Sequence, residues 1–492
     1  MSEKLVSNQL DYSKKILSYA RYKMSKKNPQ GNPSVHLSAT GGEETVIQVP
    51  TEAINFSRSR LRMRVKLPES NTANRYVFAY TNTLPMIRSI QFYGDNFYNL
   101  VDIQNADVYL NVVRPVDTKI DDYLTFDHVS ASATSAGIAT TNMGLCKNGV
   151  NEDSITNPVV AAGAQVPANF VVVNRHKRPN NSECNPRLTD MEYYIAGNEQ
   201  DGAGAGDIWY DVDVPLSCFK NTLFSLDKDI YFPQIMNIRI IWNQYTKLAW
   251  IGSSLTNPTT NAAAYNPSLA ANFIPTISNI SIYFAIEQNP MIKQQLISQV
   301  KDSGLNVMIP YVHSLKKPVD GTSQTVSYTF RPSHGFMLKK IYHTLLPNAE
   351  TLNNAFNHIN TNAAQKVLQY YTLLNGSVRL QDNNIVTAHS DDYSIHHEKI
   401  KGSVIQNINM YKFNWLHVDS FGPDKPLCED EDDYNQGVIT GLPLDQETIW
   451  DINCLETTNA THNHYTFAVT LRNLNINAVS YSLDNTKPLT LM

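Results

Sequence analysis

The sequence predicts an all-β protein made of two similar β units in tandem, each a sandwich or a jelly roll with long inserted loops and a few short helices. Short segments of alternating apolar and polar residues recur along the chain, about eight in each half, with turn signals between them. Only 17% of the residues are charged and 10% are aromatic, which favours extended structure over solvated helices. A partial repeat points to duplication. Residues 84–92 and 335–343 share an order of Met, aliphatic, basic, polar or basic, and Ile, and residues 279–284 are similar to 475–481. A chance similarity between strands is the alternative.

Composition narrows the class of protein further. The 492 residues are enough for two or three domains with large cores. A net charge of −5 excludes a protein-wide attraction to nucleic acid. The 5 cysteines are odd in number and far apart, so we expect reduced thiols rather than a zinc or redox site. We also expect a soluble chain made in the cytosol, because neither a signal peptide nor the ~18 apolar residues of a membrane helix is visible.

Residues 1 to about 40 are predicted to form a basic arm outside the β units. Seven basic residues minus two acidic ones give the first 30 residues a net charge of +5, against −5 for the whole chain. Leu10, Ile16 and Leu17 give the arm weak helical periodicity. Such mobile basic tethers bind partners or nucleic acid. The candidate binding residues are Lys14, Lys15, Arg21, Lys23, Lys26 and Lys27.

The first β unit is predicted to span residues 41–288. Its clearest strand is 58–67, where aliphatic residues alternate strictly with arginine and lysine, the pattern of a half-buried antiparallel strand. The charged stripe of this strand either binds phosphate or faces solvent. A short helix is predicted over 100–112, and a Ser-, Ala- and Gly-rich insertion over 129–206 that forms a surface or an interface. The remaining strands are predicted at 45–50, 76–80, 86–93, 207–214, 235–242 and 280–286.

The second β unit is predicted to span residues 305–492, after a linker at 289–304. A helical turn is predicted near 391–400, and a loop at 421–446 contains an acidic run at 429–433. We expect this loop and the 129–206 insertion to lie on the outer surface, because small, polar and acidic residues cannot supply a core. The strands are predicted at 306–312, 325–331, 337–344, 368–374, 410–418, 448–452, 466–471 and 476–483.

Motifs for catalysis or metal binding are incomplete. The glycines of 202–206 lack a following Lys-Ser or Lys-Thr, and His397-Glu398 has Lys401 where a zinc protease needs its second His. The acidic run lacks the spacing of a calcium loop, and His462 and His464 have no carboxylate or Cys close in sequence. We therefore predict no catalytic, cofactor or metal site and no small-molecule substrate. A glycosidase carboxylate pair stays open, since nothing singles one out.

One segment carries a resemblance to a known family. Residues 212–242 contain a strand that leads into Val-Pro-Leu, an aromatic-rich turn, an acidic pair, and a strand of alternating aliphatics with an Arg. This arrangement resembles the late first-domain region of double jelly-roll major capsid proteins, the group found in virophages, polinton-like viruses and relatives of large eukaryotic DNA viruses. The residues that carry it are Val214, Pro215, Leu216, Phe219, Phe224 and Arg239.

The resemblance implies a structural role in a virus particle. It implies two tandem eight-stranded jelly rolls, three chains in a pseudo-hexameric homotrimeric capsomer, and an icosahedral shell that such capsomers tile. Implied partners are neighbouring capsomers, penton and minor capsid proteins, and the genome or an inner membrane through the inward-facing arm. The implied location is the virion, with assembly in the host cell cytoplasm. A carbohydrate-binding or glycosidase β-sandwich and a viral spike or fibre are the alternatives.

Overall fold

The computed structural model describes most of the β framework. The described residues are 21–67, 75–78, 86–95, 98–110, 117, 195–196, 208–245, 249–252, 265–266, 275–319, 323–347, 367–375, 378–384, 416–421, 427, 440–445, 447–455 and 462–485.

The first half contains fourteen strands among the described residues. They are β1 (Tyr22–Lys27), β2 (Val35–His36), β3 (Glu44–Val49), β4 (Ala53–Leu67), β5 (Arg75–Phe78), β6 (Ile87–Gly94), β7 (Asn99–Gln104), β8 (Ile195–Ala196), β9 (Ile208–Pro215), β10 (Asp229–Tyr231), β11 (Met236–Trp242), β12 (Ala249–Gly252), β13 (Tyr265–Asn266) and β14 (Thr276–Glu287). Two antiparallel sheets form its framework, in the orders β1-β14-β4-β10 and β3-β11-β6-β7. Numbered along the half, these eight strands have the orders 1-8-3-6 and 2-7-4-5, the connectivity of a jelly roll.

The second half repeats this connectivity. Its strands are β15 (Leu305–Val319), β16 (Ser323–Phe330), β17 (Met337–Pro347), β18 (Val367–Asn375), β19 (Val378–Asn384), β20 (Leu416–Ser420), β21 (Leu442–Pro443), β22 (Thr448–Leu455), β23 (His462–Ile476) and β24 (Tyr481–Asp484). The sheets run β15-β23-β17-β20 and β16-β22-β18-β19, again 1-8-3-6 and 2-7-4-5, with β21 and β24 as additions. The predicted all-β fold with two jelly rolls is confirmed.

The alternation of buried and exposed side chains in β4 places one face of this strand in the core of the first jelly roll. In β4 the side chains of Leu61, Met63 and Val65 are buried, while Arg58 and Arg62 are exposed. The same apolar face includes Phe56, whose ring centroid lies 5.2 Å from that of Phe92 on the facing sheet. Further rings close the core around Phe56, namely Phe224, Phe232 and Phe284. Offset and edge-to-face aromatic pairs of this kind stabilise a core beyond the burial of their area.

Three long connections of the first jelly roll meet in a small sheet of their own. Strand β5 lies between β4 and β6, β8 lies between β7 and β10, and β12 and β13 lie between β11 and β14. They pair in the order β13-β12-β5-β8, which we call the crown sheet. In contrast, the connections 50–52, 95–98 and 232–235 are short. Because successive strands of a jelly roll are antiparallel, the long and the short connections lie at opposite ends of the sandwich.

A helix joins the two jelly rolls where a linker was predicted. Helix α1 (Pro290–Asp302) begins at Asn289, whose side chain accepts a hydrogen bond from the backbone N–H of Met291 at 3.0 Å. Proline in the first turn suits a helix start, because its missing N–H has no intrahelical partner there. Lys293 pairs with Glu52 at 2.7 Å, so the helix is held against the first jelly roll.

The prediction that residues 1 to about 40 form an arm outside the β units is wrong for residues 22–36. Strand β1 pairs along its whole length with β14, and β2 pairs with the start of the same strand. The jelly roll therefore begins at Tyr22 rather than near residue 41. Sequence reasoning missed β1 because it is lysine-rich and has no inward-facing aliphatic series.

The predicted helix over 100–112 is wrong for its first half. Asn99–Gln104 form β7, and only a short helical turn follows at Ala106–Val108. Pairing with β6 through five residues outweighs the local helical pattern, and a left-handed Asn105 separates strand from turn.

Part of the 421–446 loop lies in the core rather than on the surface. Leu427 and Leu444 are buried, and β21 pairs with the start of β17. The predicted acidic run 429–433, the 391–400 helical turn and nearly all of 129–206 lie outside the described residues.

The first part of the partial sequence repeat, residues 84–92 and 335–343, does not join equivalent strands. Residues 87–92 belong to β6, the fourth framework strand of its jelly roll, whereas 337–343 belong to β17, the third of the other. The duplication is real, but this similarity is the chance resemblance of two largely buried strands.

Candidate functional site: the junction of the two jelly rolls and the basic first strand

The predicted basic residues fall on β1 and the position before it. Lys23, Lys26 and Lys27 are exposed on β1, while Lys14 and Lys15 lie outside the described residues. Strand β1 stands at the end of its sheet, so its outer edge offers unpaired backbone groups within the described part of the chain. Lysines on an edge strand discourage uncontrolled strand pairing and attract anionic partners.

Arg21 serves to anchor this strand rather than to bind a free partner. Its guanidinium donates to Glu287 at 2.8 Å and to Asp229 at 2.9 Å. The hydrogen bond that Arg21 donates to Glu287, a fully buried carboxylate, is the largest cause that raises the pKa of Arg21. The contact fixes the start of β1 to the end of β14 and to β10.

Tyr22 extends the anchor. The guanidinium carbon atoms of Arg21 and Arg58 lie 5.0 and 5.4 Å from its ring centroid. Burial, and then the nearby charge of Asp229, raise the pKa of Tyr22 to about 12. Cation–π contacts and a half-buried hydroxyl, which accepts a hydrogen bond from the Asn55 side chain at 3.2 Å, therefore hold the first residue of β1 in place.

The family-like segment forms the core of the first jelly roll. Val214, Leu216, Phe219 and Phe224 are all fully buried. Pro215 ends β9 and is buried before a short turn. Arg239 on β11 donates to Glu44 on β3 at 2.8 Å, a cross-strand pair at the surface. These residues thus have structural roles.

A buried charge network joins the two jelly rolls. Asp117, from the first half, accepts hydrogen bonds from Lys340 at 2.9 Å and from the Tyr342 hydroxyl, both on β17 of the second half. Asn221, from the first half, donates to the same carboxylate at 2.5 Å. All four residues are buried. The cost of burying the Lys340–Asp117 ion pair is offset only if its remaining hydrogen bonds are made, as they are here.

Aromatic side chains also pack between the two jelly rolls. The ring centroids of Tyr109 and Phe467 lie 5.2 Å apart, and the Tyr109 hydroxyl donates to the Lys220 carbonyl at 2.7 Å. Along β17 and β23, Tyr342 and Phe467 face the first jelly roll, while Ile341 and Ala468 face the core of the second. This sheet is therefore buried on both faces: one face joins the main core, which contains residues of both jelly rolls, and the other closes a smaller core within the second jelly roll.

A second contact closes the junction at the end with short connections. The Tyr481 hydroxyl accepts from the Gly94 backbone N–H at 2.6 Å and donates to the Tyr98 carbonyl at 2.8 Å. A Cβ atom on Gly94 would lie 2.5 Å from Tyr481 Cε1 and 2.8 Å from Met236 Sδ. Only glycine leaves room for the ring.

Sequence reasoning did not find this junction. Asp117 and Asn221 are far in the chain from each other and from Lys340 and Tyr342 on β17, and the four residues match no motif. The one available signal was a pair of lysines, Lys339 and Lys340, in the middle of an apolar strand, where a charge needs a buried partner.

Histidine, cysteine and carboxylate side chains do not gather into a metal-binding group among the residues that the structure describes. Within those ranges no group of three or more His, Cys, Asp or Glu side chains is close enough to hold an ion. His464 is buried against Tyr328 and the ring of His343. The predicted glycine run and the His396–His397 pair lie outside the described residues. No helix in the described part of the chain is long and apolar enough to cross a membrane.

Comparison with known proteins identifies the fold. No protein-family model and no curated protein sequence matches the chain. Among solved structures, the chain is similar to the quasi-atomic PBCV-1 virus capsid, at 9% identity and a TM-score of 0.50 over 95% of this chain and 97% of the other. It is also similar to PBCV-1 VP54 fitted into a reconstruction of the virophage Sputnik, at 9% identity and a TM-score of 0.51 over 95% and 98%. The mavirus major capsid protein aligns at 10% identity and a TM-score of 0.47 over 95% and 93%.

The fold that this chain shares with the two PBCV-1 structures is a double jelly roll. The predicted resemblance to double jelly-roll major capsid proteins is confirmed at the level of fold, over nearly the whole chain. The first of these structural neighbours is described as a virus capsid.

Proposed function

We propose that this chain is a major capsid protein, the structural subunit of an icosahedral virus shell. The observation that carries the proposal is the duplication of one jelly-roll connectivity within a single chain. Two sandwiches with the same strand orders share a core and a buried ion-pair network, so the subunit presents two near-equivalent β units in fixed orientation. Its likeness to capsid folds supports the same reading.

Three such chains form a closed ring of six jelly rolls. Two similar units per chain give the trimer a pseudo-hexagonal outline, and threefold closure satisfies every interface without open ends. Stable capsomers of this kind bury large, partly apolar faces. The outline lets capsomers tile a shell beside penton and minor capsid proteins.

The two ends of the subunit have different roles. The crown sheet and the long connections, including 129–206, face outward, because insertions at a loop end cost little and leave the core unchanged. The short connections and the start of β1 face inward. Residues 1–20, with Lys14 and Lys15, then extend inside the particle toward neighbouring capsomers, the genome or an inner membrane.

The role is structural, in the virion, after assembly in the host cell cytoplasm. Catalysis is not part of it, and neither a cofactor nor a small-molecule substrate is needed.

Native mass spectrometry of the purified full-length protein tests the proposal. A capsid subunit is expected as a homotrimer at micromolar concentration or as larger shells. A monomer that binds oligosaccharides would instead favour the carbohydrate-binding or glycosidase alternative. An elongated trimer with no tendency to form shells would favour a spike or fibre.

A further inference from the structure

Two buried histidines lie side by side in the core of the second jelly roll. The ring centroids of His343 on β17 and His464 on β23 are 5.4 Å apart, and the rings are nearly parallel at 24°. His464 Nδ1 lies 2.7 Å from the Tyr328 hydroxyl, and His343 Nδ1 lies 2.9 Å from Thr466 Oγ1. Both histidines are fully buried.

The surroundings of His464 disfavour a positive charge. Its Nε2 atom is buried and has no hydrogen-bond partner among the described residues. Lys317 of β15 is paired with His464 in register, and its Nζ lies 4.6 Å from the Tyr328 ring centroid. Burial, and then the charge of Lys317, lower the pKa of His464 to about 3. This imidazole is therefore neutral at neutral pH.

The described groups around His464 are cationic or neutral. From β15 the facing group is Lys317, from β16 it is Tyr328, and from β23 itself it is His462, which is also buried. On β22 the residue paired with Tyr328 is Trp450. Within the described side chains, neither the hydrogen bonds of His464 nor the causes of its lowered pKa include a carboxylate.

A third histidine of the same sheet, the half-buried His313, also has a lowered pKa. His313 on β15 lies 2.9 Å from the His334 carbonyl and 3.0 Å from Thr470 Oγ1 through its Nε2. Burial lowers the pKa of His313 to about 3, and the charges of His334 and Arg472 act in the same direction.

We propose that these buried histidines make the second jelly roll an acid-sensitive element, which opens in mildly acidic solution while the first jelly roll stays folded. The first jelly roll offers no equivalent in its described part, where the histidine is the exposed His36. The inference concerns the folded chain and does not depend on the capsid role.

The direction of the effect follows from proton binding. An unfolded histidine has a pKa near 6.5, so between about pH 6.5 and 3 the unfolded state binds more protons than the folded state. The stabilising effect of the neutral imidazole is complete above pH 6.5 and is lost as the pH falls toward 3. At pH 5.0 one such histidine makes opening about thirtyfold more favourable than at neutral pH.

Hydrogen–deuterium exchange of the full-length protein at pH 7.5 and pH 5.0 tests the proposal, after correction for intrinsic exchange rates. Peptides that cover β17 and β23 are expected to lose protection by about thirtyfold or more at pH 5.0, whereas peptides that cover β4 and β14 keep theirs. Unchanged protection in β17 and β23, or an equal loss in both jelly rolls, would overturn the proposal.

Variants separate the histidine effect from a general loss of stability. The quantity to compare is the opening equilibrium constant at pH 5.0 divided by that at pH 7.5. In His464→Leu this ratio is expected to fall by about an order of magnitude, whatever the stability of the variant at pH 7.5. The matched control His36→Gln keeps the wild-type ratio. A His464→Leu protein that folds and retains the full ratio contradicts the proposal, and if this variant does not fold, the wild-type exchange profile alone decides.

Discussion

At the scale of single residues, burial decides how strongly the loss of one charge from an ion pair changes the stability of the fold. Arg239–Glu44 and Arg331–Glu447 are exposed pairs, and such pairs contribute about 0–1 kcal/mol. Lys340 and Asp117 are buried to the same extent as core leucines. Loss of either partner leaves an uncompensated charge in the shared core of the two jelly rolls.

Asp117→Asn should therefore reduce the free energy of unfolding by about 3–5 kcal/mol, because Lys340 stays charged and buried without its counterion. Chemical denaturation followed by tryptophan fluorescence measures the change. The double variant Asp117→Asn/Lys340→Met should recover a large part of the loss, since it removes both charges. Glu447→Gln is the matched control at an exposed pair and should change stability by less than about 1 kcal/mol.

Gly94 offers a steric test of the same junction. Gly94→Ala should cost about 1–3 kcal/mol, because the added methyl group overlaps the Tyr481 ring and Met236. Thermal unfolding gives the size of the effect. Gly31→Ala is the control, since nothing lies within 4 Å of a Cβ at that position. Equal effects of the two substitutions would contradict the tight contact.

At the scale of elements, the strands with strict alternation were predictable and the others were not. Strand β11 and residues 61–65 of β4 alternate buried residues with more exposed ones, so period two is visible in the sequence, whereas most of β14 after residue 279 is buried. Strand β23 is buried on both faces, and its register depends on two partners that the sequence does not reveal. Strand β1 has no apolar periodicity, because its place is set by pairing with β14 and by the Arg21 and Tyr22 contacts.

Because β1 begins at Tyr22 and ends at Lys27, we expect different results from N-terminal deletions that stop before this strand and deletions that include it. Deletion of residues 2–20 leaves β1, Arg21 and Tyr22 in place, so the melting temperature should match that of the full chain. Deletion of residues 2–30 removes the first framework strand and uncovers the edge of β14, so the protein should aggregate or melt at a clearly lower temperature.

Differential scanning fluorimetry with size-exclusion chromatography distinguishes the two truncations. The triple variant Lys23→Thr/Lys26→Thr/Lys27→Thr controls for charge, because it keeps a strand of good β-propensity and should stay folded. If the 2–30 deletion is as stable as the 2–20 deletion, then β1 is not part of the folded framework.

At the scale of the whole molecule, the arrangement of connections gives the subunit two distinct ends. The crown sheet gathers three long connections at one end of the first jelly roll, and the start of β1 and the short connections lie at the other. Composition and turn spacing predicted the two β units, but neither could predict that they share a buried sheet. That sheet depends on Asp117 and Tyr109 meeting β17 and β23 across more than 200 residues of sequence.

The outward direction of the crown end can be tested on assembled particles. Limited proteolysis should cleave first within 129–206, because a long, small-residue insertion at the outer end is accessible, whereas the junction strands β17 and β23 are protected. Mass spectrometry of the released fragments locates the cuts. Early cleavage inside β17 or β23, with the insertion intact, would contradict the orientation.

Cryo-electron microscopy of the purified protein tests the central claim most directly. The account predicts a homotrimer with a pseudo-hexagonal outline and six upright jelly rolls, or a shell tiled by such blocks. Monomers, or an oligomer in which the two jelly rolls of a chain are not adjacent in one six-membered ring, would contradict it.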